Sequence, residues 1–189
     1  MNTFPTDQQL IDYSGEHLLH ELNMFWQLAQ AIPNSEPSKP SFTLSVLLES
    51  FAIHLRNLIE FFYYPPKQKY VRAHDFFDKP TDWKQKMTTP VKKARQRANE
   101  EVNHLTHGRK NGTPPEKSWN TDELLKAIET VASEFAAKAS NKKLHPKVRE
   151  FLKLTSREML VWLGKNATYS NVAAQIITST SSSGGLVTP

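Results

Sequence analysis

The sequence predicts an all-α protein, a single-domain bundle of about five main helices with a disordered C-terminal tail. Apolar residues recur with a helical period in five segments, and capping residues, prolines and glycines separate those segments. No run alternates between polar and apolar residues as a half-buried strand does. The 189 residues are 38% hydrophobic and 23% charged, which is ordinary for a chain that builds one core.

The first two helices are predicted over residues 7–32 and 42–64. Thr6-Asp7-Gln8-Gln9 forms a capping box at the start of the first helix. Pro65-Pro66 ends the second, because proline cannot continue a helix. The second helix carries a broad apolar stripe, so we expect it to be central. Residues 67–88 then form a long loop, whose aromatic side chains we expect to anchor it to the core. The alternative is that these rings are stacking platforms for bases.

Three further helices are predicted over residues 90–108, 121–139 and 146–163. Thr89 and Pro90 are the predicted N-cap and first residue of the third helix. We therefore expect a helical bundle domain at 1–164 and a C-terminal extension at 165–189, which is low in complexity and disordered from residue 178.

Composition excludes several classes of protein. The chain has no cysteine, which rules out disulfides and thiolate metal sites. The N-terminus does not resemble a signal peptide, and no apolar run approaches the length of a membrane span. We expect a cytoplasmic protein without membrane contact. His17 and His20, beside Glu16 and Glu21, have a spacing that can bind zinc but is common by chance, so we expect no metal and no cofactor.

Positive charge is concentrated in one segment. Residues 67–112 contain twelve Lys and Arg against five Asp and Glu, a net charge of +7 in a chain whose total is +5. Such a field attracts polyanions, nucleic acid above all. The alternative is that these side chains form the solvated surface of a long loop.

The stretch Arg95–Arg109 is the one place where Arg, Asn, Glu and His crowd together. On an α-helix Arg97 and His104 are seven residues apart and project within ~20° of each other. An Arg can hold a phosphate and a His can transfer a proton, so the pair suffices in principle for metal-independent RNA cleavage by the 2′-hydroxyl. Alternatively, His104 hydrogen-bonds a neighbouring helix and Arg97 pairs with Glu101.

Other polar residues accompany this candidate catalytic pair. On the second helix Arg56 and Glu60 form an i,i+4 pair, which is a surface salt bridge unless another element supplies a partner. The full set of candidate binding or supporting residues is Arg56, Asn57, Glu60, Asn99, Asn103, Thr106 and Arg109.

The spacing of Arg97 and His104 resembles the Arg-x(4–6)-His motif of the HEPN superfamily. The segment Leu55–Phe61 also resembles the second helix of that bundle. In addition, Asn103-His104-Leu105-Thr106-x-x-Arg109 is similar to a motif of uncharacterised bacterial helical proteins. The resemblance covers residues 7–164. It implies a helical bundle, frequent homodimerisation and, in active members, a metal-independent endoribonuclease site built from Arg and His of both subunits.

Three functions follow as hypotheses. The first is a non-catalytic HEPN-like module that binds RNA or a protein partner through residues 67–112. The second is a HEPN-type endoribonuclease, resembling toxin or defence proteins, that uses Arg97 and His104. The third is a structural or dimerising domain in which these residues form a buried polar network.

Overall fold

The structure, a computed structural model, describes residues 5–32, 42–67, 69–103 and 119–153. It confirms the all-α fold, since none of these residues forms a β-strand, apart from an isolated bridge between Lys67 and Tyr70. The α-helices are α1 (Asp7–Tyr13), α2 (Leu19–Ala31), α3 (Phe42–Tyr63), α4 (Thr89–Arg97), α5 (Thr121–Lys138) and α6 (Pro146–Lys153).

A π-helical turn, Ser14–Leu18, joins α1 to α2, so that the predicted first helix is continuous but not uniformly α-helical. The predicted capping box is present: Gln9 N donates to Thr6 Oγ1 at 3.2 Å, and Thr6 N donates to Gln9 Oε1 at 2.8 Å. Ser14 Oγ accepts a hydrogen bond from His145 N at 3.0 Å and thereby ties this turn to the start of α6.

Helix α3 is the central helix, as its apolar stripe predicts. It packs against α2, α4 and α5, and seven of its residues are buried. Its first half is more exposed, with Phe42 and Val46 on the surface, and Ile53 near its middle is exposed as well. By length and composition α3 could also cross a membrane, a test that the core helix of a soluble protein passes as well. This run was not predicted from the sequence.

An aromatic core surrounds Phe135 of α5. Five rings lie with their centroids 5.4 to 6.1 Å from that of Phe135, and they come from α3 and from the loop after it: Phe61, Phe62, Phe76, Phe77 and Trp83. Two 3₁₀ turns, Ala73–Phe76 and Pro80–Asp82, shape this loop. The expected anchoring role is therefore confirmed for Phe76, Phe77 and Trp83, which are buried.

The remaining helices follow the predicted bounds with small differences. Helix α4 begins at Thr89, so Thr88 and not Thr89 occupies the N-cap position, and it makes no side-chain capping bond. A second π-helical stretch, Ala98–Asn103, follows α4. Helix α5 is capped by Asn120, whose Oδ1 accepts from Glu123 N at 3.1 Å.

Several predictions lie outside the described residues. They are the end of the third helix beyond 103, the continuation of α6 beyond 153, the domain boundary at 164, and the disordered tail. The described helices up to Leu152 belong to one compact unit.

Candidate functional site

Arg97, the first residue of the predicted catalytic pair, lies half-buried in the last turn of α4. Its guanidinium carbon is 4.4 Å from the ring centroid of Trp119, which itself packs edge-on against Phe51. A planar guanidinium on an indole face is a favourable cation–π arrangement. Arg97 is therefore held on the core by its stacking partner.

The position of the second residue, His104, lies outside the described residues. The expected pairing assumed α-helical geometry between Arg97 and His104, but Ala98–Asn103 is π-helical. A π turn adds a residue, which rotates all that follows by roughly 100° relative to an α-helix. The pairing of Arg97 with His104 stays a prediction.

The supporting residues on this stretch are partly described. Asn99 is half-buried in the π-helical stretch. Asn103 ends that stretch, and its side chain lies outside the described part, as do Thr106 and Arg109 and the side chain of Glu101. Neither the catalytic cluster nor the alternative pair of Arg97 with Glu101 is tested.

The second predicted group, Arg56, Asn57 and Glu60, is brought together on α3. Arg56 Nε donates to Glu60 Oε1 at 3.1 Å, which confirms the i,i+4 pair. The second oxygen of Glu60 accepts from Arg72 at 3.2 Å. Glu60 thus joins two guanidinium groups, one from its own helix and one from the loop after α3.

Arg72 is the functional candidate that sequence reasoning missed. Its side chain is only 8% exposed, and its Nε is buried without a hydrogen-bond partner among the described residues. Its backbone N–H donates to Asp75 Oδ2 at 2.8 Å, which fixes the residue at the start of the first 3₁₀ turn. A buried guanidinium with unused donor capacity is costly unless something completes its hydrogen bonds.

Arg72 and three other basic side chains lie close to two tyrosine rings. Its guanidinium carbon lies 4.7 Å from the ring centroid of Tyr70 and 5.6 Å from that of Tyr64. The ammonium groups of Lys67 and Lys69 lie 5.3 and 5.9 Å from the Tyr70 ring, and Arg95 of α4 lies 5.4 Å from Tyr64. We call these six residues the tyrosine–cation cluster: Tyr64, Lys67, Lys69, Tyr70, Arg72 and Arg95.

The geometry of the chain after α3 creates this cluster. Pro65-Pro66 ends the helix, and Tyr70 N then donates to Lys67 O at 2.8 Å to close a tight turn. The turn places Lys67 and Lys69 beside the ring of Tyr70, which is 43% exposed. The expectation that aromatic residues of this loop serve as anchors is therefore wrong for Tyr70.

A cleft of 410 Å³ opens next to the cluster, between the π-helical turn, α3 and the loop. Its walls combine aromatic and aliphatic side chains with polar groups from each of the three segments. Its lining comprises Tyr13, His17, Leu18, Glu21, Asn57, Leu58, Glu60, Phe61, Tyr70, Val71 and Arg72. Asn57 and Glu60, two predicted binding residues, are among them.

Glu21 is the second carboxylate that lines this cleft. Its Oε2 lies 2.8 Å from Nδ1 of His54. Burial alone would raise the pKa of Glu21, but the hydrogen bonds from His54 and Asn57, with the charges of His54 and His20, together lower it below its usual value. Glu21 is therefore an ionised hydrogen-bond acceptor at neutral pH.

The histidines of this region contact aromatic rings instead of forming a metal cluster. The ring of His17 lies 5.1 Å from that of Tyr13, and the ring of His20 lies 5.7 Å from that of His54. Among the described residues, no three His, Asp or Glu side chains converge as potential metal ligands.

A sequence signal for the cluster did exist. The pattern Tyr63-Tyr64 and Lys67-x-Lys69-Tyr70-x-Arg72 interleaves aromatic and basic residues, which is typical of surfaces that bind single-stranded nucleic acid. The charge of the segment predicts a polyanion, and its aromatic residues admit base stacking as the alternative to anchoring.

Comparisons with protein-family models, with curated proteins and with solved structures found no match to this chain. The expected homodimer, cytoplasmic location and HEPN resemblance therefore stay predictions.

Proposed function

We propose that this protein is a non-catalytic, HEPN-like helical module that binds single-stranded RNA through its basic segment, residues 67–112. The observation that carries the proposal is the tyrosine–cation cluster. Four basic side chains lie within 6 Å of the centroids of two tyrosine rings, and the more exposed ring, Tyr70, has two lysines beside it.

An excess of exposed positive charge in this segment favours binding to a polyanion. Lysines at positions 67, 69, 79, 84, 86, 92 and 93 are exposed in the described part of the segment. The carboxylates there are Asp75, Asp78, Asp82, Glu100 and Glu101, fewer than the lysines, and Asp75 accepts from the Arg72 backbone. Exposed lysines without matching acids release counterions when they contact phosphates, which favours binding to any nucleic acid.

The aromatic rings supply the preference for single strands. Bases of a single strand are free to stack on aromatic side chains, whereas bases within a duplex are not. Tyr70 offers a 43% exposed ring with ammonium groups next to it, so one base can stack while adjacent phosphates meet Lys67 and Lys69.

The test is binding of a labelled oligouridylate of about 12 nucleotides, followed by fluorescence anisotropy at low salt. We expect Tyr70→Ala to weaken binding by roughly tenfold, since stacking on an aromatic residue contributes about 1–3 kcal/mol per base. The Lys67→Gln/Lys69→Gln variant should also weaken it. The matched control is Lys142→Gln/Lys147→Gln, which removes the same charge from exposed positions outside the segment.

Two outcomes would contradict the proposal. One is no binding at low salt, and the other is an equal loss for the control pair, which would mean that total charge alone matters. The same incubation without divalent metal also examines the RNA ends. Cleavage to cyclic phosphates by the wild type, lost in His104→Ala, would replace the non-catalytic proposal with the ribonuclease alternative.

A further inference from the structure

The cleft and the tyrosine–cation cluster share Tyr70 and Arg72. A strand that stacks a base on Tyr70 would therefore bring its neighbouring base to the mouth of the cleft. The cleft volume of 410 Å³ lies within the roughly 300–1,000 Å³ typical of small-ligand sites. The surface that we propose for RNA thus continues directly into a space large enough for one nucleobase.

The charges in the cleft select a base over a phosphate. Glu21 and Glu60 line it together with one guanidinium, Arg72, which Glu60 already contacts at 3.2 Å. A phosphate would meet an excess of negative charge there, whereas the exposed Lys67 and Lys69 lie just outside beside Tyr70. We therefore expect the phosphates of a bound strand to contact these lysines and a neutral group to occupy the cleft.

The polar groups of the cleft are both acceptors and donors. Glu21 accepts from His54 through Oε2 and also accepts from Asn57, and a carboxylate has about four lone-pair sites, so acceptor capacity remains. Arg72 lines the cleft and commits one terminal nitrogen of its five-donor guanidinium to Glu60, so donor capacity remains. The hydroxyl of Tyr13 interacts with the charges of both Glu21 and Arg72. Burial raises the pKa of Tyr13, the charge of Glu21 raises it further, and the charge of Arg72 lowers it.

We propose that this cleft binds an unstacked guanine base, with Glu21 accepting from guanine N1–H and the N2 amine while Arg72 and Tyr13 face its O6 edge. This inference rests on the proposed RNA binding and names the base that the site selects. Tyr13, Phe61 and Tyr70 supply aromatic walls for the ring.

Guanine matches this arrangement better than the other bases do. Its Watson–Crick edge places two adjacent donors, N1–H and the N2 amine, beside an acceptor, O6. A carboxylate accepts two parallel hydrogen bonds from such a pair. Adenine, cytosine and uracil each present a single donor flanked by acceptors or by carbon, so an ionised carboxylate would be left with one bond or would face an acceptor.

The experiment compares four oligonucleotides of about 12 nucleotides that are uridine throughout, except for one central guanosine, inosine, adenosine or uridine. We expect guanosine to improve affinity over uridine by roughly tenfold, the size of one good bidentate contact. Inosine lacks the N2 amine and should lose most of this gain. Because the inosine arm uses the wild-type protein, it decides the question even if a variant fails to fold.

Two variants test whether the preference for guanosine over uridine arises in the cleft. Glu21→Gln should reduce the guanosine-to-uridine affinity ratio to near one, whereas Glu16→Gln, an exposed residue of the same helix that does not line the cleft, should keep the ratio. Equal affinity for all four oligonucleotides overturns the guanine inference and leaves RNA binding intact. No binding to any of them overturns the proposed function, and the guanine inference falls with it.

Discussion

Arg72 shows how one residue can connect the parts of a site. It pairs with Glu60 of α3, stacks on Tyr64 and Tyr70, and lines the cleft. The sequence predicted the local pair of Arg56 and Glu60 because helical spacing determines it. It could not predict Arg72 as the second partner, because a loop residue acquires its neighbours only when the loop packs on the core.

Trp83 offers a test of how the loop is held. Its Nε1–H donates to Phe62 O at 2.7 Å, and that carbonyl, in the last turn of α3, has no partner within the helix. Trp83→Phe keeps an aromatic ring but leaves this buried carbonyl unpaired. We expect the free energy of unfolding, measured by urea denaturation, to fall by about 1–3 kcal/mol. An unchanged midpoint would mean that another group satisfies Phe62 O.

Arg97 tests the cation–π contact with Trp119. Lysine preserves the charge but loses the planar group that stacks at 4.4 Å. We expect Arg97→Lys to lower the free energy of unfolding by about 0.5–1 kcal/mol. Lys93→Gln, at an exposed position of the same helix, is the control and should be neutral. Equal stability of Arg97→Lys and wild type would show that the stacking contributes nothing measurable.

Glu21 makes stability depend on pH in a specific direction. Its pKa is lowered in the folded chain, so its contribution is complete above the unfolded value of about 4.3 and is lost as pH falls through the folded value. We expect wild type to exceed Glu21→Gln in stability at neutral pH. The difference should shrink with acidification below that unfolded value, as measured by urea denaturation at several pH values. A constant difference would show that the carboxylate is unperturbed.

At the scale of elements, sequence reasoning located the helices and missed their irregularities. Caps and prolines mark the ends, so the predicted starts at 7, 42, 121 and 146 agree with the structure. The π-helical turns Ser14–Leu18 and Ala98–Asn103 were not predicted, because caps, prolines and glycines mark only where a helix begins and ends, and an extra residue within it carries no such signal. For the candidate pair of Arg97 and His104 this irregularity matters, since it lies between them.

Gly15 shows what the first π turn requires. A Cβ at this position would lie 2.7 Å from Cδ2 and 2.8 Å from Cγ of His145, whose backbone is tied to Ser14. In an exposed helix Gly→Ala is stabilising by roughly 0.5–1 kcal/mol. Here we expect Gly15→Ala to destabilise the protein by about 1–3 kcal/mol through overpacking. Adding His145→Ala should restore part of the loss in thermal denaturation. A more stable single variant would contradict the close approach.

At the scale of the whole molecule, fold and charge were predictable while the cleft was not. The basic segment is visible in composition alone. The cleft combines residues 13–21, 57–61 and 70–72, which are distant in sequence and meet only because α3 packs between the first helix and the loop. No spacing rule connects such segments, so the sequence indicated Glu21 only as a neighbour of His17 and His20 and indicated no role for Tyr13.

The most direct test of the central claim is the salt dependence of oligouridylate binding. Each phosphate neutralised in a single strand contributes a slope of about −0.7 to log K against log salt. With three or more contacts we expect affinity to fall roughly tenfold or more between about 50 and 200 mM salt. Lys92→Gln/Lys93→Gln, at exposed positions of α4, should flatten that slope. An affinity that does not change with salt concentration, or the absence of binding at low salt, would contradict RNA recognition by this segment.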